Sequence, residues 1–129
     1  MPITMLYAGA LTLVLLVLST RVIQARGATK VFIGDGGNEL MIRRMRGQAN
    51  FVEYVPMALI LLGLLEYRGT APWLLHALGA TLLVARLLHG YAFAFASHFP
   101  PGRFAGALLT QLMLAVAALL ALWQGLAAV

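Results

Sequence analysis

An all-α integral membrane fold, four transmembrane helices in an up-down-up-down bundle, follows from three features of this chain. Of its 129 residues 62% are hydrophobic and only 10% charged, with a mean hydropathy of +0.91, well above the near-even apolar share of soluble domains. A core this short cannot bury so much apolar surface, so the bilayer acts as solvent, and the chain has room for four stretches of the roughly 20 apolar residues that one span needs. Short polar breaks rich in glycine and proline separate these stretches, which makes consecutive spans antiparallel neighbours. The whole chain, residues 1–129, reads as a single domain.

Span one covers about residues 3–25 and closes on Arg21 and Arg26. Its apolar run from Met1 to Leu18 has no basic segment before it and no small-residue cleavage site, so it reads as a retained span rather than a signal peptide. The Gly34-Asp35-Gly36-Gly37 cluster then breaks the helix. Span two runs over about residues 39–67, and its first turns carry Arg43, Arg44 and Arg46, so they project beyond the hydrocarbon. Arg68-Gly69-Thr70 makes a tight connection to span three, about residues 71–96, with Pro72 where a first helical turn accepts it. Ser97 to Gly102, including Pro100-Pro101, is the next predicted loop, and span four covers about residues 103–126. In it Gly102 and Gly106 form a small-xxx-small pair suited to close helix packing.

The net charge of +5 comes from nine Lys and Arg against four acidic residues. On a soluble protein that balance points to nucleic acid, but here topology accounts for it, and no nucleic-acid partner is expected. Arg21, Arg26, Lys30, Arg43, Arg44 and Arg46 gather around the first loop, whereas the second offers Arg68 alone. Positive-inside bias therefore puts loops one and three in the cytoplasm and both termini outside. With no cysteine, the chain has no disulfide, thiolate metal site or cysteine nucleophile. Any thiol chemistry must use a ligand's sulfur.

Ionisable side chains inside a span cost about 2.5–3.5 kcal/mol each on insertion scales, so those unable to reach the interface mark function or a specific partner. Arg43, Arg46, Asn50 and Glu53 recur at intervals of three and four and share one helical stripe. Pro56 frees the carbonyl of Val52 just beyond it. Such a face points into protein or a wet cavity. In span three Arg86 and His89 are one turn apart, with Phe93 a turn further on. Arg86 sits mid-span and needs an anion, and Glu53 is the one carboxylate deep in a span, so the two are expected to be neighbours. That pair could serve only to fix helix register. Arg103 opens span four, the unfavourable end of a helix dipole for a cation. It either snorkels to lipid phosphates or, together with the helix N-terminus, helps hold an anion such as a thiolate. A cytoplasm-facing pocket with Arg26, Arg46, Arg103 and Glu53 suits a ligand with several carboxylates and one ammonium, the charge pattern of glutathione. His76 and His98 read as interfacial or solvated, Arg44 as a headgroup contact, and Trp73 and Trp123 as interfacial anchors.

The stretch Arg46-Gly-Gln48-Ala-Asn50-Phe-Val-Glu53-Tyr54-Val-Pro56 resembles the signature of the MAPEG family, membrane-associated proteins in eicosanoid and glutathione metabolism. The likeness extends to Arg21-Val-Ile-Gln-Ala-Arg26 and to Ala85-Arg86-Leu-Leu-His89, and its details are most similar to the short bacterial members. The resemblance implies a homotrimer, with glutathione as co-substrate bound between neighbouring subunits near the cytoplasmic face of a bacterial inner membrane. By matching position, Arg26, Arg46, Gln48, Asn50, Glu53 and Tyr54 become glutathione contacts, with Glu53 taking the ammonium and arginines the carboxylates. Arg86 and His89 join them from span three. Arg103 matches the arginine that stabilises the glutathione thiolate, so it is the expected catalytic residue. The chain departs from the family at Phe93, where many members carry tyrosine, and at Phe104, where one branch has a serine.

The resemblance thus implies a membrane glutathione transferase or peroxidase acting on a lipophilic electrophile or lipid peroxide that enters from the bilayer. Two alternatives stand beside it. One is a non-catalytic lipid-binding scaffold of the same fold. The other is a small proton-coupled multidrug exporter, a class that places its key glutamate in span one, where this chain has no acidic residue.

Overall fold

The computed structural model describes residues 1–128 and contains four helices: α1 Pro2–Thr29, α2 Glu39–Tyr67, α3 Pro72–Ala94 and α4 Pro100–Leu126. Each is long and apolar enough to cross a membrane. Three of them open with proline in the first turn, where the missing N–H costs no hydrogen bond. α2 opens instead on Asn38, whose side chain accepts from the Met41 amide at 3.2 Å. The fourth helix begins earlier than the sequence suggests. Pro100 and Pro101 are its first two residues rather than part of the loop, because proline's fixed φ suits a helix start as well as a break.

Contacts between helix ends give the chain direction. Thr4 in α1 meets Glu66 in α2, Arg43 in α2 meets Ala92 in α3, and Gln124 at the end of α4 meets Thr70 before α3. Successive helices therefore run antiparallel. α3 lies against all three other helices, and α1 and α4 do not touch. The core follows the helical period: Phe51, Val55, Ala58, Leu62 and Leu65 from α2 meet Leu75, Leu78 and Leu82 from α3, with Tyr7, Leu11 and Leu18 from α1 and Met113 and Ala117 from α4. The outer faces remain apolar, with Leu13, Ile60, Leu112 and Leu119 all exposed. This is the pattern of an integral membrane protein, in which lipid covers what water cannot.

Lipid tails are as apolar as leucine, so helices in a bilayer gain little from hydrophobic burial against one another and rely on close packing and polar contacts. Both are visible. The Glu66 carboxylate accepts from the Ile3 amide at 2.9 Å, the Thr4 amide at 2.7 Å and the Thr4 hydroxyl at 2.6 Å. α1 thus has its free N-terminal donors capped by a residue from another helix. At the opposite end of the bundle, three arginines cap α3. Arg21 donates to Ala94 O at 2.8 Å, Arg43 to Ala92 O at 2.9 Å and Ala96 O at 3.0 Å, and Arg44 to Phe93 O. The Tyr91 carbonyl is met by the amides of Phe95 and Ala96. Cations at a helix C-terminus complement its dipole, so much of the basic charge around the first loop has a structural use.

α4 approaches α3 most closely at Gly106. A Cβ there would stand 2.6 Å from Ala85 O and 2.7 Å from His89 Cβ, so only glycine fits. The small-xxx-small expectation holds through Gly106; Gly102 instead leaves room for the ring of Phe99 in its own loop.

Candidate functional site

The close approach at Gly106 sets the geometry of a polar cleft, because Arg103 lies one turn before it on α4 and His89 lies opposite it on α3. The cleft opens between α2 and α4, with α3 as its floor. Its larger lobe, about 530 Å³, is lined by Arg43, Asn50, His89, Phe93, His98 and Arg103 among others. A second lobe of about 310 Å³ shares most of these residues and adds Arg46 and Ile42. Three guanidinium groups border this space, and no carboxylate is among its lining residues. The field inside favours an anion.

Phe93 organises the centre. Its ring stacks on His89 with centroids 4.8 Å apart, and the guanidinium carbons of Arg43 and Arg103 lie 5.8 and 5.3 Å from the ring centroid. Both are within cation–π range, so the ring face helps hold two like charges at one site. The ring fits there because α2 carries Gly47 opposite it, where a Cβ would stand 2.6 Å from Phe93 Cβ.

Arg86 takes a different place from the one expected. It is 1% exposed, and its guanidinium donates to Asn50 Oδ1 at 2.9 Å and to Gly106 O at 3.3 Å. Glu53 is not its partner. That carboxylate lies on the outer face of α2, two turns beyond Arg46, and meets Arg46 at 3.7 Å with about half of its side chain exposed. The correction has a simple cause. Asn50 and Gly106 carbonyls reach the buried guanidinium from the two flanking helices, whereas a carboxylate there would need full desolvation as well. Arg86 thereby fixes the Asn50 side chain at the cleft wall with its Oδ1 turned to the guanidinium.

The sequence-predicted site residues divide into three sets. Arg46, Asn50, His89 and Arg103 come together in the cleft, with Glu53 beside them through Arg46 and Arg86 behind them through Asn50. Tyr54 is half-buried one residue beyond Glu53 and does not line the cleft. Arg26 and Gln48 lie elsewhere: Arg26 donates to Val31 O and Gly34 O at 3.1 Å, pinning the first loop, and Gln48 donates to Ser19 Oγ at 3.1 Å. Two ionisable lining residues were not singled out as site residues from sequence. Arg43 carried the right signal, being on the same stripe as Asn50, and His98 carried none because its position depends on the turn before α4.

The N-terminus of α4 contributes less to anion binding than expected. Pro100 and Pro101 lack N–H groups and the Arg103 amide bonds Phe99 O at 3.2 Å. Gly102 keeps the one free amide of that turn, so the guanidinium of Arg103 is the main donor available there.

A family model described as the MAPEG family matches residues 4–123. The chain is also similar to the inner membrane protein YecN of Escherichia coli strain K12, 36% identical over 91 residues that make up 70% of each chain. The protein of the same name from an Escherichia coli O6:H1 strain matches to the same extent.

Proposed function

The chain belongs to the MAPEG family, and from that membership and the cationic cleft we propose that it is a glutathione transferase or peroxidase of a bacterial inner membrane. The observation that carries this reading is the meeting of Arg103 with Arg43, Arg46, Asn50 and His89 in one cleft, with the Glu53 carboxylate joined to it through Arg46. Glutathione brings two carboxylates, one ammonium and one thiol. Arginines on α2 take the carboxylates, Glu53 takes the ammonium, and Arg103 faces the sulfur.

Arg103 does the chemical work by favouring thiolate over thiol, which brings a thiol from its free pKa of about 8.5 toward neutrality. The proton leaves to water at the cleft mouth. In transfer, the sulfur forms a bond to an electrophilic carbon while the leaving group departs with the bonding electrons. In peroxide reduction, the thiolate attacks the terminal oxygen and breaks the O–O bond to give a glutathione sulfenic acid and an alkoxide that takes a proton from water, and a second glutathione thiol then displaces the sulfenic hydroxyl as water to form the disulfide. The apolar partner arrives along the exposed leucine faces, so much of the rate comes from holding it beside the thiolate.

Arg26 and Gln48 support a homotrimer. They face away from the cleft of their own chain, so they contact the same glutathione only when a neighbouring copy supplies them. Loops one and three then face the cytoplasm, with both termini outside, in line with the basic cluster around the first loop.

A binding-only scaffold member is favoured by one feature, the lack of a hydroxyl beside Arg103, where Phe93 and Phe104 stand. Titration of glutathione into the detergent-purified protein, with thiolate absorbance followed near neutral pH, separates the two. A glutathione enzyme binds glutathione with a thiolate signal, loses binding in Glu53→Gln and loses the signal in Arg103→Ala. Binding without a thiolate signal leaves the scaffold, and no binding removes glutathione from the reading. A proton-coupled exporter fits poorly, since Glu53 is paired with Arg46 beside further cations.

A further inference from the structure

On the side of the bundle opposite the cleft, α1 and α3 diverge to leave a groove of about 340 Å³. Its walls are the apolar side chains of Val14, Val17, Leu87, Leu88 and Tyr91, and its floor is Gly90 packed against Leu18. The groove lies on the perimeter, with Val17, Leu87 and Tyr91 about half exposed. Toward the first loop it ends at Phe95, stacked on Tyr91 at 5.9 Å between ring centroids. The guanidinium of Arg21 covers that ring at 4.9 Å.

Arg21 also begins a second hollow of about 200 Å³, which it shares with Arg44, Gln24 and Leu40. No carboxylate lines it, and among the described residues the one ion pair joins Arg46 to Glu53. Both arginines hold α3 carbonyls with part of their donor set. Arg21 donates through Nε to Ala94 O and through Nη1 to Gln24 Oε1 of its own helix, and Arg44 donates through Nη1 to Phe93 O. Nη2 of Arg21, and Nε and Nη2 of Arg44, remain free to donate.

We propose that this face binds one anionic phospholipid, with an acyl chain along the α1–α3 groove and the phosphate between Arg21 and Arg44. The occupant must be apolar along the helices and anionic at their cationic end, and a phospholipid is both. An acidic lipid fits better than a zwitterionic one, because two arginines and no carboxylate line the hollow. Basic pockets between spans at a cytoplasmic surface recognise acidic lipids in this way. The site is separate from the cleft and does not depend on glutathione chemistry.

The test is binding of phosphatidylglycerol, against phosphatidylcholine, to the detergent-purified full chain, read by native mass spectrometry and by the rise in melting temperature. Wild type retains phosphatidylglycerol preferentially. The double variant Arg21→Gln, Arg44→Gln binds it roughly thirtyfold more weakly, taking each arginine near the surface at its usual worth. Since both arginines also cap α3, Val17→Trp provides a second arm that fills the lip of the groove and leaves the caps intact. It lowers phosphatidylglycerol retention without lowering the melting temperature of the lipid-free protein. Equal retention of the two lipids, or unchanged phosphatidylglycerol binding in Val17→Trp, overturns the proposal. A groove covered by a second copy of the chain binds neither lipid there, which also overturns it.

Discussion

Replacing Gly106 with alanine tests the link between helix packing and the cleft. The added Cβ would stand 2.6 Å from Ala85 O, 2.7 Å from His89 Cβ and 2.8 Å from His89 N, whereas a carbon normally approaches a carbonyl oxygen to about 3.3–3.6 Å. Two of the three obstacles are backbone atoms of α3, which cannot swing aside, so α4 must retreat by about 0.7–1 Å. The Arg86 Nη2 to Gly106 O contact, already 3.3 Å, then stretches beyond hydrogen-bonding range. Overpacking of this kind costs about 1–3 kcal/mol. Arg103 moves with the helix, and misplacement on the order of 1 Å can cost about 100-fold in rate. Gly106→Ala should therefore lower the melting temperature in detergent and also weaken the glutathione thiolate signal near neutral pH. Gly125→Ala, at an open position near the far end of α4, is the control and should change neither. A Gly106→Ala protein with wild-type melting temperature and thiolate absorbance would refute the packing argument.

Three further outcomes are expected. Glu66→Ala removes the cap on α1 at the end of the bundle remote from the cleft, so it should lower stability by about 1–2 kcal/mol in chemical unfolding and leave glutathione titration unchanged. Arg86→Met removes a buried charge but strands Asn50 Oδ1, so the loss in glutathione affinity should exceed the loss in stability. Asn50→Ala should then add little to it, since the two act as one unit. Phe93→Tyr keeps the ring that faces Arg43 and Arg103 and adds a hydroxyl to the cleft. It should preserve the fold by circular dichroism and raise the thiolate fraction of bound glutathione, while Phe93→Leu, which loses the ring, should lower it.

How much of this was legible in the sequence depends on the range of the interaction. Four apolar stretches with punctuated breaks announced four helices, because length and hydropathy suffice when the bilayer is the solvent. The stripe of Arg43, Arg46 and Asn50 was also legible, since helical periodicity puts residues at those intervals on one side. Partners across helices were not. Glu53 and Arg86 looked like each other's counter-ions because they were the obvious charges available, yet the structure pairs the two Nη groups of Arg86 with neutral oxygens, one of them the backbone of Gly106, and leaves its Nε without a partner. A backbone carbonyl has no signature in sequence. The same limit hid the caps on α3, where Arg44 meets the carbonyl of Phe93.

These neutral pairings bear on how a membrane site stays open. If Glu53 neutralised Arg86, its carboxylate would be spent inside the bundle, and the ammonium of the proposed glutathione ligand would find no counter-charge beside Arg46. Because carbonyls take the two Nη groups of Arg86, and Ala92 and Ala96 carbonyls take part of Arg43, these arginines are held without consuming anions. Glu53 keeps only the contact with Arg46, 3.7 Å long and about half exposed, the kind of pair that contributes little and exchanges readily. A ligand with both signs of charge can replace that contact with two better ones, a carboxylate on Arg46 and an ammonium on Glu53. Ligand exchange of this kind requires that Arg46→Ala and Glu53→Gln each weaken glutathione binding far more than they change the stability of the empty protein.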